Sequence, residues 1–107
     1  MNSINHWING ETVTTAPERT GAVYDPATGA QTGEVALASA ADVDLAVHTA
    51  RQAFETWAAV PLTRRQTIMF AFRELVAKHH DDFARTLTAE HGKTIDDSRG
   101  EVQRGLE

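Results

Sequence analysis

The sequence contains no cysteine, and this absence excludes several kinds of chemistry. Its 107 residues can form no disulfide, offer no thiolate to a metal and hold no cysteine nucleophile. No apolar run approaches the roughly 18 residues that a membrane span needs. The first ten residues, MNSINHWING, lack the basic and apolar regions of a secretory signal. We therefore expect a cytoplasmic protein with no membrane partner.

The sequence also lacks an excess of positive charge. It has 10 Lys and Arg residues against 15 Asp and Glu residues, which gives a formal net charge of -5, and the only adjacent basic pair is Arg64-Arg65. This balance disfavours nucleic acid as a partner. The hydrophobic fraction of 41% and the charged fraction of 23% are ordinary for a globular domain.

The first third of the chain has the pattern of strands and turns. Asn9-Gly10 lies between short apolar runs and predicts a hairpin, because both residues tolerate positive φ. The polar stretch TTAPERTG, residues 14–21, predicts a loop. The sequence DPATG, residues 25–29, then predicts the turn of a second hairpin. Two hairpins over about 4–38 make a poor sheet unless other strands cover them.

From Ser39 onward the apolar period changes to that of a helix, and three or four amphipathic helices are predicted over about 39–107. Ser39 and Asp42 have capping-box spacing. This first helix is predicted to run to about Ala59 and to be ended by Pro61. Its apolar face consists of Val43, Val47, Ala50, Phe54 and Trp57.

The later helices are delimited by similar signals. Thr63 with Gln66 predicts the start of the second helix, and the sequence HHDD at 79–82 predicts an interruption or a bend. Gly92 predicts a helix end and Thr94 a new start. The last apolar stripe is Ile95, Val102 and Leu106. Because no stop signal follows it, we expect this helix to continue in a longer protein.

The remaining chemical motifs have structural explanations. Gly92-Lys93-Thr94 resembles part of a phosphate loop, but position 87, where such a loop needs glycine, is Leu. Gly100 and Gly105 lack the strand–turn–helix context of a dinucleotide fingerprint, so we expect them to permit close helix packing. The paired carboxylates at 81–82 and 96–97 favour helix N-termini. The two tryptophans, Trp7 and Trp57, are predicted to be core anchors.

The histidines offer no recognisable metal site. None of them has the i, i+4 spacing of a helical zinc site, so we expect solvated or partly buried imidazoles. The five are His6, His48, His79, His80 and His91. The pattern of residues therefore assigns no catalytic, cofactor-binding or metal-binding residue.

Several stretches together resemble the N-terminal portion of the aldehyde dehydrogenase superfamily. They are HWING, VYDPATGAQTGEVALASAADVDLAV, ARQAFETWAAVPLTRRQTIMFAFRELVAKHHDDFARTLTAEHGKT and RGEVQRGLE. The resemblance covers the chain from about Ile4. Within the superfamily, the pairing of EHGKT with GEVQRGLE is most similar to the CoA-acylating methylmalonate-semialdehyde dehydrogenases.

The resemblance implies an α/β parent fold and a definite chemistry. Such enzymes oxidise an aldehyde with NAD through a cysteine thiolate, and CoA releases the resulting thioester in the acylating subclass. With methylmalonate semialdehyde the product is propionyl-CoA, as in valine catabolism. The parent would be a cytoplasmic homo-oligomer that acts on a small-molecule aldehyde.

The resemblance places residues 1–107 in the N-terminal part of the NAD-binding domain, without the catalytic and oligomerisation domains. The cysteine and the family's cofactor-binding motifs are absent, so these residues alone should be inactive. Some relatives bind a structural monovalent cation, which here would involve Glu90 and the main chain around Tyr24; helix termination is the preferred interpretation of that turn. The alternatives are a free-standing helical interaction module and a non-functional remnant of such an enzyme.

Overall fold

A computed structural model describes all 107 residues, which form two compact units. The first comprises residues 1–24 and 31–60, and the second comprises residues 25–30 and 61–107. The strands are β1 (Asn2–Ile4), β2 (Trp7–Ile8), β3 (Glu11–Thr12), β4 (Arg19–Tyr24) and β5 (Gln31–Leu37); the helices are α1 (Ala40–Trp57), α2 (Leu62–Lys78), α3 (His80–His91) and α4 (Ile95–Leu106).

The main sheet of the first unit has the strand order β1-β5-β4. The antiparallel β4–β5 pair confirms the predicted second hairpin. The predicted loop at 14–21 is too long, because Arg19 to Gly21 pair with β5 despite their polar surroundings. Strand β1, which the sequence did not predict, pairs in parallel with β5. A Cβ built on Gly33 would lie 2.7 Å from the Asn2 carbonyl oxygen, so glycine is needed for this approach.

The β2–β3 hairpin confirms the turn prediction at Asn9-Gly10. Its ladder has two residue pairs, Trp7 with Thr12 and Ile8 with Glu11. Asn9 and Gly10 have φ angles of 58° and 79°, both in the left-handed region that a two-residue hairpin turn requires.

Helix α1 begins as predicted and ends earlier than predicted. The Ser39 hydroxyl accepts the Asp42 amide at 3.1 Å, and the Ser39 amide donates to the Asp42 carboxylate at 2.8 Å, which completes the capping box. The helix ends at Trp57, two residues before the predicted end at about Ala59 and four residues before Pro61. Pro61 instead caps α2, and its missing N–H is tolerated at a helix start. The predicted start at Thr63 is therefore wrong, since Thr63 lies inside the first turn.

The second unit contains three helices whose breaks agree with the sequence. His79 separates α2 from α3, and Gly92 ends α3 with a φ of 85°. The Thr94 hydroxyl accepts the Asp97 amide at 3.3 Å and caps α4. The paired carboxylates lie in the first turns of α3 and α4, as predicted.

Helices α3 and α4 pack closely because small residues lie between them. Ala84 and Ser98 are fully buried. The Ser98 hydroxyl forms a 2.7 Å hydrogen bond with the Thr88 hydroxyl, which satisfies its polar atom inside the contact. The stripe of Ile95, Val102 and Leu106 is half-buried. In contrast, a Cβ on Gly100 or Gly105 would meet nothing within 4 Å, so these glycines mediate no close packing within this chain.

Most large apolar side chains of the helices remain exposed. Trp7 is 71% exposed and Trp57 41%, so neither is a core anchor in this chain. Within α1, the least exposed residues are Asp42, Ala46 and Thr49. Thus the predicted helical period of α1 is confirmed. Its large apolar face is uncovered, because no other element of the 107 residues packs on it. That face comprises Val43, Val47, Phe54 and Trp57 on α1, and α2 exposes Ile68, Met69, Phe70, Phe72 and Leu75.

The side of α1 that carries its small residues faces the first hairpin. Residues 7–10 of the hairpin and the small side chains Ala46, Thr49, Ala50 and Ala53 line opposite walls of an open cavity of about 460 Å³. The helix therefore presents small residues to its own hairpin and large residues elsewhere. None of the four helices combines the length and the apolar character that crossing a membrane requires.

Candidate functional site at the α3–α4 corner

Two of the motifs that carry the family resemblance meet at the α3–α4 corner, which we define as residues 90–104 together with the 25–30 turn. Within the turn, the Ala27 amide donates to the Asp25 carboxylate and the Gly29 amide to the Asp25 carbonyl, each at 2.8 Å. The turn places Pro26 against Gly92. A Cβ on Gly92 would lie 3.1 Å from Pro26 Cγ, so the DPATG and EHGK motifs contact each other through a glycine.

Charged side chains tie α3 to α4 around this corner. The Arg99 guanidinium donates to the Asp81 and Asp96 carboxylates, each at 3.1 Å. The hydrogen bond and the charge of Arg99 lower the pKa of Asp81, and the bond to Asp81 raises the pKa of Arg99. The Lys93 ammonium bonds to the Glu101 carboxylate and lowers the pKa of Glu101. Both ion pairs favour the ionised form of the carboxylates.

A surface cavity of about 260 Å³ lies along this side of α4. Its lining contains two cations and three carboxylates, and the Lys93 charge is already neutralised by Glu101. Arg104 has no carboxylate within ion-pair distance. The lining residues are Lys93, Asp96, Asp97, Gly100, Glu101 and Arg104. The cavity can hold a polar group, but no side chain in it is an activated nucleophile.

Glu90 and Tyr24, the two residues named for a possible monovalent cation site, are both exposed. Glu90 forms no ion pair, and Tyr24 is a strand residue of the first unit. No group of three His, Asp or Glu side chains is arranged to hold a metal ion. The Gly92 geometry supports the preferred interpretation, in which the turn ends a helix, and a cation at Glu90 stays a prediction.

The histidines are dispersed. The His79 ring lies 3.2 Å from Asp82 and the half-buried His80 ring 3.9 Å from Asp81, both at the start of α3. The Nε2 atom of His6 is buried and has no hydrogen-bond partner. These environments do not converge on one site.

The sequence did not predict a small cavity in the first unit. Its volume is about 120 Å³, and His6, Glu18 and Asp42 are among its lining residues. The Ser39 backbone and hydroxyl lower the pKa of Asp42, so this carboxylate is held by the helix cap. The capping-box spacing was the only sequence signal for this place, because most of the other lining residues lie in irregular segments.

The comparison with known families decides the identity. The profile of the "Aldehyde dehydrogenase family" matches residues 13–107. The chain belongs to the aldehyde dehydrogenase family. This confirms the resemblance, and the matched residues include the whole α3–α4 corner.

Individual relatives agree with this membership over the whole chain. The malonate-semialdehyde dehydrogenase 2 of Shouchella clausii is 42% identical over 107 residues, which cover 100% of this chain and 22% of that protein. The malonate-semialdehyde dehydrogenase of Bacillus pumilus is 40% identical over 104 residues, covering 97% of this chain and 21% of that protein.

Solved structures show the same fold. A Sinorhizobium meliloti structure, named methylmalonate-semialdehyde dehydrogenase and complexed with NAD, has a TM-score of 0.94 and 40% identity, and covers 99% of this chain and 22% of that one. An aldehyde dehydrogenase from Bartonella henselae has a TM-score of 0.91 and 27% identity, and covers 99% of this chain and 23% of that one. The chain thus spans about a fifth of the length of its relatives, and the α/β fold prediction is confirmed.

Proposed function

We propose that residues 1–107 form the N-terminal part of the NAD-binding domain of an NAD-dependent aldehyde dehydrogenase that acts on methylmalonate semialdehyde or malonate semialdehyde. The observation that carries this proposal is the 42% identity to a malonate-semialdehyde dehydrogenase across the whole chain. The 40% identity to the methylmalonate-semialdehyde dehydrogenase of Sinorhizobium meliloti supports the same substrate class. In both substrates the carboxylate and the aldehyde are attached to the same carbon.

We propose the acylating form of the reaction for the whole protein. A cysteine would form a thioester with the oxidised substrate, CoA would take the acyl group, and loss of CO2 would give propionyl-CoA or acetyl-CoA. Since residues 1–107 contain no cysteine, the nucleophile must come from elsewhere in the enzyme. The proposed context is valine catabolism in the cytoplasm, in a homo-oligomeric enzyme.

The residues of this chain do not fit a dinucleotide site by themselves. A helix N-terminus attracts phosphate when its amides are free. At the start of α4, however, the Thr94 hydroxyl already accepts the Asp97 amide, and the Asp96 and Asp97 carboxylates would repel a pyrophosphate. We therefore assign the contacts with NAD and CoA to other parts of the enzyme.

The role proposed for this chain is structural support of the cofactor domain. Large apolar residues on one face of α1 are exposed, including Val47, which is 62% exposed, and Phe54, which is 53% exposed. Apolar area of this kind gains about 25 cal/mol per Å² when it is covered. We propose that the remainder of the enzyme covers this face.

A chimaera tests the proposal directly. Residues 1–107 replace the corresponding segment of the Sinorhizobium meliloti protein, and NADH formation is followed with methylmalonate semialdehyde, with and without CoA. We expect CoA-dependent turnover from the chimaera and none from residues 1–107 alone. A folded chimaera that binds NAD but does not oxidise methylmalonate semialdehyde would contradict the assignment of residues 1–107 to an enzyme of this class. Turnover by the isolated, cysteine-free chain would contradict the role assigned to it.

The exposed α1 face also favours a second candidate, an interaction module that binds an intact enzyme subunit. The two candidates differ in behaviour when the isolated chain is mixed with the complete Sinorhizobium meliloti protein. A module would form a stable complex with the complete subunit. A domain part would bind only a subunit from which the equivalent segment had been removed.

A further inference from the structure

We propose that Asn9, in the turn of the β2–β3 hairpin, is a site of spontaneous deamidation, and that the reaction changes the geometry of this hairpin. This inference concerns a modification site and does not depend on the enzyme assignment. It rests on the neighbouring residue, on the free hydrogen-bonding groups of the turn and on the shortness of the ladder that holds it.

The first step needs an attack by a backbone nitrogen on a side-chain amide. The Gly10 nitrogen would attack Cγ of Asn9, so that an N–Cγ bond forms and the Cγ–Nδ2 bond breaks. Ammonia leaves with the proton given up by Gly10, and a five-membered succinimide remains. Water then opens the ring at either carbonyl and yields aspartate or isoaspartate. One water is consumed and one ammonia released, and no oxidant or reductant takes part.

The turn leaves both reacting groups free. Asn9 and Gly10 are exposed, and Gly10 has no side chain to hinder the approach of its nitrogen. The Gly10 amide donates no backbone hydrogen bond, and the Asn9 side chain makes none. Both residues also line the open cavity of about 460 Å³ beside α1, so water reaches the turn.

The hairpin can open at low cost because little holds it closed. Its ladder has only two residue pairs, and an isolated hairpin is marginally stable. One further hydrogen bond, from the Val13 amide to the His6 carbonyl at 2.8 Å, continues the pairing. Trp7 is mostly exposed and Ile8 is half-buried, so only Ile8 adds side-chain packing to the ladder. Transient opening lets the turn leave its left-handed conformation and reach the geometry of the attack.

The chain supplies two internal controls. Asn5 is exposed like Asn9, but His6 follows it and its side chain hinders the reacting nitrogen. Asn2 is followed by Ser3 and is held in β1 opposite Gly33. We expect Asn9 to react several-fold faster than either residue.

The product has a structural consequence. Isoaspartate carries the backbone through Cβ and adds one methylene to the turn, so the pairing of Ile8 with Glu11 can no longer close with the same geometry. Aspartate keeps the backbone path and adds one negative charge to the formal net charge of -5. The isoaspartate form should therefore lose the hairpin, whereas an Asn9→Asp chain should keep it.

The test follows all three asparagines in the same sample. The 107-residue chain is incubated at neutral and mildly alkaline pH in heavy-oxygen water and analysed by peptide mapping with mass spectrometry, with Asn9→Asp as the standard for one product. Heavy oxygen marks deamidation that occurs during the incubation. We expect labelled aspartate and isoaspartate at position 9, formed faster at the higher pH, and almost no label at Asn2 or Asn5. Equal labelling at Asn9 and Asn5 would overturn the proposal.

A parallel incubation in urea separates sequence from structure. If the folded turn leaves Asn9 free to react, the native chain will deamidate at a rate within a few-fold of the urea-unfolded chain. Reaction in urea without reaction in the native chain would mean that the hairpin protects Asn9, and the proposal would be wrong. An Asn9→Gln chain, whose longer side chain would need a larger ring, should show no label at position 9 in either condition.

Discussion

Alanine at Gly92 and alanine at Gly100 are expected to have opposite effects on the α3–α4 pair. Gly92 has a φ of 85°, and an alanine there pays about 1–2 kcal/mol for the left-handed conformation. Its Cβ would also lie 3.1 Å from Pro26 Cγ and 3.2 Å from Pro26 Cβ, which forces the turn to move. Gly100 lies inside α4, where a Cβ meets nothing within 4 Å. Alanine there should stabilise α4 by about 0.5–1 kcal/mol.

Native-state hydrogen exchange of the α4 amides measures these effects locally, without requiring the whole chain to unfold as one unit. A change of about 1.4 kcal/mol corresponds to tenfold in the opening equilibrium, so Gly92→Ala should lower protection by roughly 5–30-fold. Gly100→Ala should raise it by about 2–5-fold. The two substitutions add the same methyl group, and Gly100→Ala is therefore the matched control.

Asparagine at position 92 separates the two costs. Asparagine tolerates the left-handed conformation better than alanine, but it carries the same Cβ against Pro26. Protection should therefore fall in the order glycine, asparagine, alanine. If Gly92→Ala and Gly100→Ala shifted protection in the same direction, the account of the corner as a left-handed cap would be refuted.

Three further effects are expected from the caps and the helix contacts. Ser39→Ala should reduce protection of the first turn of α1 by about 1 kcal/mol, seen by hydrogen exchange, because the capping box is lost. The Arg99 bond lowers the folded-state pKa of Asp81, so its stabilisation is present above pH of about 4 and is lost as the pH falls through the folded pKa. The helical circular dichroism of the chain should weaken there, and Asp81→Asn should reduce the dependence without abolishing it, because the pKa of Glu101 is also lowered. Thr88→Val and Ser98→Ala should each cost about 1 kcal/mol, and the double substitution should cost less than their sum, as a double-mutant cycle would reveal.

Local chemistry determined the elements that the sequence could predict. Ser39 and Thr94 each use their own side chain to cap a helix, and Gly92 adopts a conformation that few other residues tolerate. Asn9-Gly10 likewise specifies its hairpin turn. These features depend on residues within a few positions of one another, so a single sequence contains the information.

Features that depend on distant partners could not be predicted. Strand β1 is short and polar, and it is a strand only because β5 lies beside it. The contact of Pro26 with Gly92 joins segments far apart in the chain. The prediction that Trp57 is a core anchor is not met within this chain for a related reason, because burial depends on what covers a helix and not on its period.

The parallel β1–β5 pairing determines how this chain should be cut for expression. The family match begins at residue 13, so an expression boundary placed there would discard β1, β2 and β3 together. Strand β5 would then lose its partner on one side and expose unpaired backbone groups, which invite pairing between molecules. An N-terminal tag directly before Asn2 would crowd the same edge, where the approach to Gly33 leaves no spare space. A tag at the N-terminus therefore needs a flexible spacer before Asn2.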